Sequence, residues 1–143
     1  MAATPVAGSR APTPGERRVL QRGLGATPVP PDQVEHLVGA ARVLDVVPGT
    51  LLLEQGDMGD DLLVVLDGIV EVRRSGRLVA HPGPGTVLGE HGARHLGPRT
   101  AAVTAVTRGR VAVLPGRAVR LAMRRAPVAE ELLEDVGRGR EVA

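Results

Sequence analysis

The chain has 143 residues, of which 43% are hydrophobic and 24% charged, with a formal net charge of +2; this is the composition of one globular domain able to bury its own core. It has no cysteine, which excludes disulfides and thiolate metal sites, no apolar run near the roughly 20 residues that cross a bilayer, and no signal-like N-terminal stretch. A cytoplasmic protein without a membrane partner is expected.

The isoelectric point of about 10.8 suggests a nucleic-acid partner, but the charge count argues against one. Every basic residue other than His is Arg and there is no Lys or Tyr, so little titrates between neutrality and the arginine range. A charge of +2 therefore persists to high pH without implying a basic surface. Phe, Tyr and Trp are absent, so the large rings on which single-strand binding platforms stack bases are missing. The bias toward Arg, Ala, Gly and Val resembles a GC-rich bacterial composition.

In chain order, residues 1–28 read as a flexible tail, rich in Ala, Pro, Gly and Thr, with a short helical piece carrying Arg17, Val19 and Leu20. Pro31 is placed to start a helix through Gln33, Val34, Leu37 and Val38. Strands are then expected at 42–47, 50–54, 61–67, 69–73 and 77–80. Between them stand Pro48-Gly49, 56–60, Asp67-Gly68 and Ser75-Gly76, all suited to tight turns. Two further strands, 101–107 and 110–114, flank Arg108-Gly109. Val119, Ala122 and Met123 share a helical face, and after Pro127 so do Val128, Leu132, Leu133 and Val136. The fold expected is mainly β, an antiparallel β-roll of jelly-roll type with flanking helices. Its domain would span 29–136, with 137–143 a second tail. The glycines at 49, 56, 59 and 68 read as turn residues with no site role.

The strand rhythm breaks between Thr86 and Ala102. Gly89 and Gly92 would let a ligand approach the backbone, and one helical turn there would offer unpaired amides to an anion. Arg99 supplies a planar fork suited to phosphate, and Glu90 an acceptor for a neighbouring hydroxyl. An anion beside a hydroxyl describes a phosphorylated sugar.

The sequence Gly89-Glu90, eight residues, then Pro98-Arg99-Thr100-Ala101 resembles the phosphate-binding cassette of the cyclic nucleotide-binding domains found in catabolite activator proteins, cyclic-nucleotide-dependent kinases and gated channels. Pro48-Gly49 through Glu54-Gln55-Gly56-Asp57-Met58-Gly59-Asp60 is similar to that family's early strand pair and turn, and Leu66-Asp67-Gly68-Ile69-Val70-Glu71-Val72 to its next hairpin. The resemblance covers about residues 30–135. It implies a non-enzymatic sensor whose ligand is cAMP or cGMP, cAMP favoured by the bacterial composition, with no cofactor and no metal. Glu90 would accept from the ribose 2′-hydroxyl and Arg99 would hold the cyclic phosphate. Amides near Gly92 and Ala93 would complete the cradle, and Thr100 would add a hydroxyl. The ligand-binding set is thus Gly89, Glu90, His91, Gly92, Ala93, Arg99 and Thr100. The chain departs from the pattern at Leu88, often aromatic in the family, and at His91 and Gly92, where an apolar and a small residue are usual.

Other readings stay open beside this one. Glu90 and Arg99 would also suit a loop-closing ion pair in a degenerate domain that binds a protein. His81, His91 and His95 with Glu90 raise a cupin-like metalloenzyme, although His-x-His is missing. Asp57 and Asp60 read as turn acids, since the loop lacks a calcium ligand series. Too little chain follows Val136 for a DNA-binding helix-turn-helix. An effector protein of unstated identity is the implied partner, and the 128–136 stripe offers a homodimer contact.

Overall fold

The computed structural model describes residues 8–124. Two helices, α1 (Pro14–Gly25) and α2 (Pro31–Ala40), precede the strands β1 (Arg42–Val46), β2 (Leu51–Leu53), β3 (Leu62–Asp67), β4 (Val70–Arg74), β5 (Arg77–Ala80) and β6 (Val87–Leu88). A short helix, α3 (Glu90–His95), then leads into β7 (Ala102–Ala105), β8 (Gly109–Leu114) and α4 (Gly116–Arg124). The strands form two antiparallel four-stranded sheets, ordered β1-β8-β3-β6 (sheet A) and β2-β7-β4-β5 (sheet B). The mainly β roll with flanking helices is as the turn spacing predicts.

Two cores hold the layers together. Between the sheets, the alternate residues Leu63 and Val65 of β3, Val70 and Val72 of β4, Val103 of β7 and Val111 and Val113 of β8 interdigitate. Behind sheet A, Leu62, Val64 and Leu66 meet Leu20 and Leu24 of α1, Leu37 and Val38 of α2, and Val119, Ala122 and Met123 of α4. Sheet A is therefore covered on both faces, and β3 accordingly reads Leu-Leu-Val-Val-Leu with all five residues buried. Sheet B has one wet face, and β4 alternates buried Val70 and Val72 with Glu71 and Arg73, which pair at 2.7 Å.

The N-terminal tail expected over 1–28 is the main departure. Residues 1–7 lie outside the described residues, but α1 is a packed helix of 12 residues with Leu20 and Leu24 fully buried. Its start is encoded locally. The Thr13 hydroxyl accepts from the Glu16 amide while the Glu16 carboxylate accepts from the Thr13 amide, and Pro14 fills the first helical position. Upstream, Arg10 exchanges backbone hydrogen bonds of 3.1 and 2.7 Å with Val43, adding one residue to the edge of β1. The second departure is β6, two residues within the stretch read as irregular, which pair with Leu63 and Val64. The C-terminal stripe at 128–136 and the tail at 137–143 lie outside the described residues.

Glu16 is buried, and it accepts from Arg10 at 2.6 and 2.8 Å and from Arg110 at 2.9 Å. The hydrogen bonds from Arg10 outweigh desolvation and lower its pKa from 4.5 to about 2. A carboxylate lowered in the folded state adds stability above its unfolded pKa and loses it as pH falls through the folded one. Thermal stability should therefore decline from about pH 5 toward pH 2, and Glu16→Gln should flatten that slope. Identical acid slopes for the two proteins in thermal melts would show that Glu16 does not carry the effect.

Candidate functional site

Beyond Leu88 the chain turns sharply. Gly89 adopts φ 85°, a left-handed conformation open to glycine at little cost, and directs the chain into α3. The helix ends after one and a half turns at Leu96, also left-handed at φ 55°. The chain returns through Pro98, which bridges to Met58 in the loop between β2 and β3. The Arg99 amide donates to the Asp57 carbonyl at 2.8 Å, and the Arg99 carbonyl accepts from the Gly56 amide at 2.9 Å. This pairing fixes Arg99 between the cassette and a loop about 40 residues earlier in the sequence.

The Arg99 side chain is 6% exposed. Its Nη2 donates to the Asp61 carbonyl at 2.9 Å, while Nη1 is buried with no hydrogen-bond partner. A buried cationic nitrogen without an acceptor is costly, by about 1–3 kcal/mol or more, and strongly favours an incoming anion. Three glycines make room for the guanidinium. A Cβ at Gly59 would lie 3.2 Å from Nε, and one at Gly89 or Gly92 would lie 3.0 or 2.8 Å from Nη1. Burial lowers the Arg99 pKa, opposed by the carboxylates of Asp61 and Asp60. Burial also raises the pKa of Asp61, against a hydrogen bond from the Gly116 amide. Asp60 accepts from Arg120 of α4 at 2.7 Å, so the turn that carries the Arg99 acceptor is also held by α4. The Thr100 hydroxyl oxygen is likewise buried without a partner.

Gly89, Gly92 and Arg99 of the expected set thus converge, with Thr100 next to Arg99 in the chain. Ala93 does not offer its amide: α3 begins at Glu90, so the Ala93 N–H closes the first helical hydrogen bond, to the Gly89 carbonyl at 3.1 Å. Its methyl lies in the core behind sheet A. Glu90 is half-buried and borders an apolar cleft lined by Val29, Leu62, Val87, Val119 and Met123, which does not include Arg99. The side chains of His91, Arg94 and His95 lie outside the described residues.

Gly59, read as a turn glycine without a site role, lies against Arg99. Its φ is unremarkable; what it needs is space, and that need arises from a partner far along the chain. Asp61 was missed for a related reason, because it serves Arg99 through its backbone carbonyl, which carries no sequence signal. Arg74, at the end of β4, was missed as well, and its Nε donates to the Thr100 carbonyl at 3.3 Å. The remaining candidate chemistry falls elsewhere. His81 faces Glu71 at 3.8 Å on sheet B. Among the described residues no three His, Asp or Glu side chains converge on one point, and no helix is long and apolar enough to cross a membrane.

Comparison with known proteins gives this geometry a context. The chain is 36% identical over 73 residues to the Pycsar effector protein XpPycTIR of Xanthomonas perforans, a match covering 50% of this chain and 24% of that protein. It is 34% identical over 76 residues to the cGMP-dependent protein kinase egl-4 of Caenorhabditis elegans, covering 53% of this chain and 10% of the kinase. It spans, then, less than a quarter of the length of either relative. Among solved structures, the N-terminal domain of a transcriptional regulator from Streptomyces coelicolor A3(2) superposes with a TM-score of 0.66 at 29% identity, covering 84% of this chain and 90% of that one. The sequence model of the cyclic nucleotide-binding domain matches residues 43–126, more than half of the chain. The roll, the cassette and that match agree: the chain belongs to the cyclic nucleotide-binding domain family.

Proposed function

We propose that this domain binds a 3′,5′-cyclic nucleotide at Arg99 and acts as a stand-alone cytoplasmic sensor for an effector protein, with no catalysis of its own. The observation that carries this reading is the Arg99 Nη1 atom, a buried donor without an acceptor in a cradle of three glycines. A cyclic phosphate supplies the missing acceptor as an anion, and the Gly92 amide and Thr100 hydroxyl lie in the same segment to bond its remaining oxygens. Glu90 is proposed as the acceptor for the ribose 2′-hydroxyl. cAMP is favoured over cGMP on the ground of the bacterial-looking composition. A homodimer through 128–136 belongs to the same reading.

Isothermal calorimetry with cAMP, cGMP, cCMP, cUMP and 2′-deoxy-cAMP tests the reading. At least one ribose form should bind with a dissociation constant in the micromolar range or tighter, about −8 kcal/mol, with cAMP ahead of cGMP. The deoxy form should bind more weakly, by about 1 kcal/mol for one lost hydrogen bond. No heat and no thermal shift with any cyclic nucleotide at millimolar concentration would leave the degenerate, protein-binding domain as the better description.

A further inference from the structure

Cyclic nucleotides differ in their base, and this chain has no Phe, Tyr or Trp to meet one. A planar cation can take that role, because a guanidinium stacks on a π face and is attracted by it. The described residues place one such group at the end of sheet B beside the cassette. Val70 and Val72 of β4 are buried between the sheets, and Glu71 and Arg73 pair with each other on the outer face. Strand alternation puts Arg74 on the inner side, one step beyond Val72 and past the end of the apolar core. There it is exposed, and its Nε donates to the carbonyl of Thr100, the residue next to Arg99.

The backbone behind Arg74 is held at two points. Ser75 and Gly76 both take positive φ, 52° and 81°, closing a two-residue hairpin turn to β5. The Ser75 backbone N–H donates to the Gln55 side-chain Oε1 at 2.6 Å, and Gln55 Nε2 donates to the Ser75 hydroxyl at 3.2 Å. Gln55 adjoins Gly56, whose amide bonds the Arg99 carbonyl. The hairpin end, the 55–57 loop and the Arg99-Thr100 strand are therefore tied into one unit, with an arginine at its open edge.

We propose that Arg74 is the base-contacting residue of this domain, its guanidinium plane lying against the nucleobase of a cyclic nucleotide whose phosphate is held by Arg99. This rests on the reading of Arg99 as the phosphate ligand. It adds a specificity residue from β4 that the cassette does not contain.

The test compares full-length wild type with Arg74→Ala and Arg74→Gln. The probes are the tightest-binding cyclic nucleotide and a base-free ribose 3′,5′-cyclic phosphate, read by calorimetry. Arg74→Ala should weaken the nucleotide by about three- to thirty-fold and leave the base-free probe unchanged. Arg74→Gln retains an N–H donor for the Thr100 carbonyl but loses the planar cation, and should weaken the nucleotide equally. If both variants bind the nucleotide as wild type does, the inference fails while the Arg99 reading stands. Equal weakening of nucleotide and base-free probe would also overturn it, since Arg74 would then act only by holding Thr100. If wild type binds no cyclic nucleotide, both readings fall together.

Discussion

Replacing Arg99 by alanine should weaken cyclic nucleotide binding by about ten- to a hundred-fold, because a charge-assisted phosphate contact is worth roughly 1.5–3 kcal/mol. Arg99→Lys should recover only part of the loss. An ammonium restores charge, but it cannot donate to the Asp61 carbonyl and to a phosphate through one rigid plane, as Nη2 and Nη1 are placed to do. The effect on folding separates two roles. If Arg99 is chiefly a ligand for an anion, removing it relieves a buried, half-satisfied cation, and the melting temperature of the ligand-free protein should hold or rise. If Arg99 is chiefly a structural tie, Arg99→Ala should lower that temperature sharply, and nucleotide should leave the wild-type melt where it is. Thermal melts with and without ligand distinguish the two.

Gly92→Ala should damage both binding and stability. Alanine favours a helix over glycine by about 1 kcal/mol, which alone would make the change stabilising. The added Cβ, however, would sit 2.7 Å from the Gly59 carbonyl oxygen and 2.8 Å from Arg99 Nη1. One of these is backbone and the other a buried guanidinium, so neither gives way easily. Overpacking of this kind costs about 1–3 kcal/mol, more than the helical gain, and the shift it forces falls on Arg99. Binding should drop by about tenfold or more, the effect of roughly 1.4 kcal/mol at the phosphate contact. Gly39→Ala is the control: it lies in α2 with nothing within 4 Å of the added Cβ, and should be neutral or stabilising. Gly92→Ala with wild-type affinity and a raised melting temperature would show that the cradle is not tight.

The strands were legible because their turns are local chemistry. Asp67-Gly68, Ser75-Gly76 and Arg108-Gly109 mark strand ends whatever surrounds them, and the structure has strands on either side of each; Ser75-Gly76 closes the β4-β5 hairpin, while the other two carry the chain from one sheet to the other. The N-terminal helix was half legible. Thr13-Pro14-Gly15-Glu16 carries a helix-start pattern, but it stands in a segment whose Ala, Pro and Gly content reads as tail, and only Leu20 and Leu24 on sheet A settle the matter. At the site, Arg99 and its neighbours stood out because the cassette is contiguous. Gly59 and Asp61 did not, since each serves a residue about 40 positions later, one by lacking a side chain and the other through its backbone. The Ala93 amide was misassigned because the first residue of α3 decides which N–H groups are left over, and a boundary of that precision is not written in residue types.

The ring-free interior has a practical consequence. The cores are built from Val, Leu, Ala and Met, and with no Trp, Tyr, Phe or cystine anywhere the protein is transparent in the near ultraviolet. Every nucleobase absorbs there. A cyclic nucleotide carried through purification would thus be the only chromophore in that window, and its band would identify the base and give its stoichiometry against peptide-bond absorbance. The same transparency lets bound and free ligand be followed through the ligand's own absorption and circular dichroism, without a label.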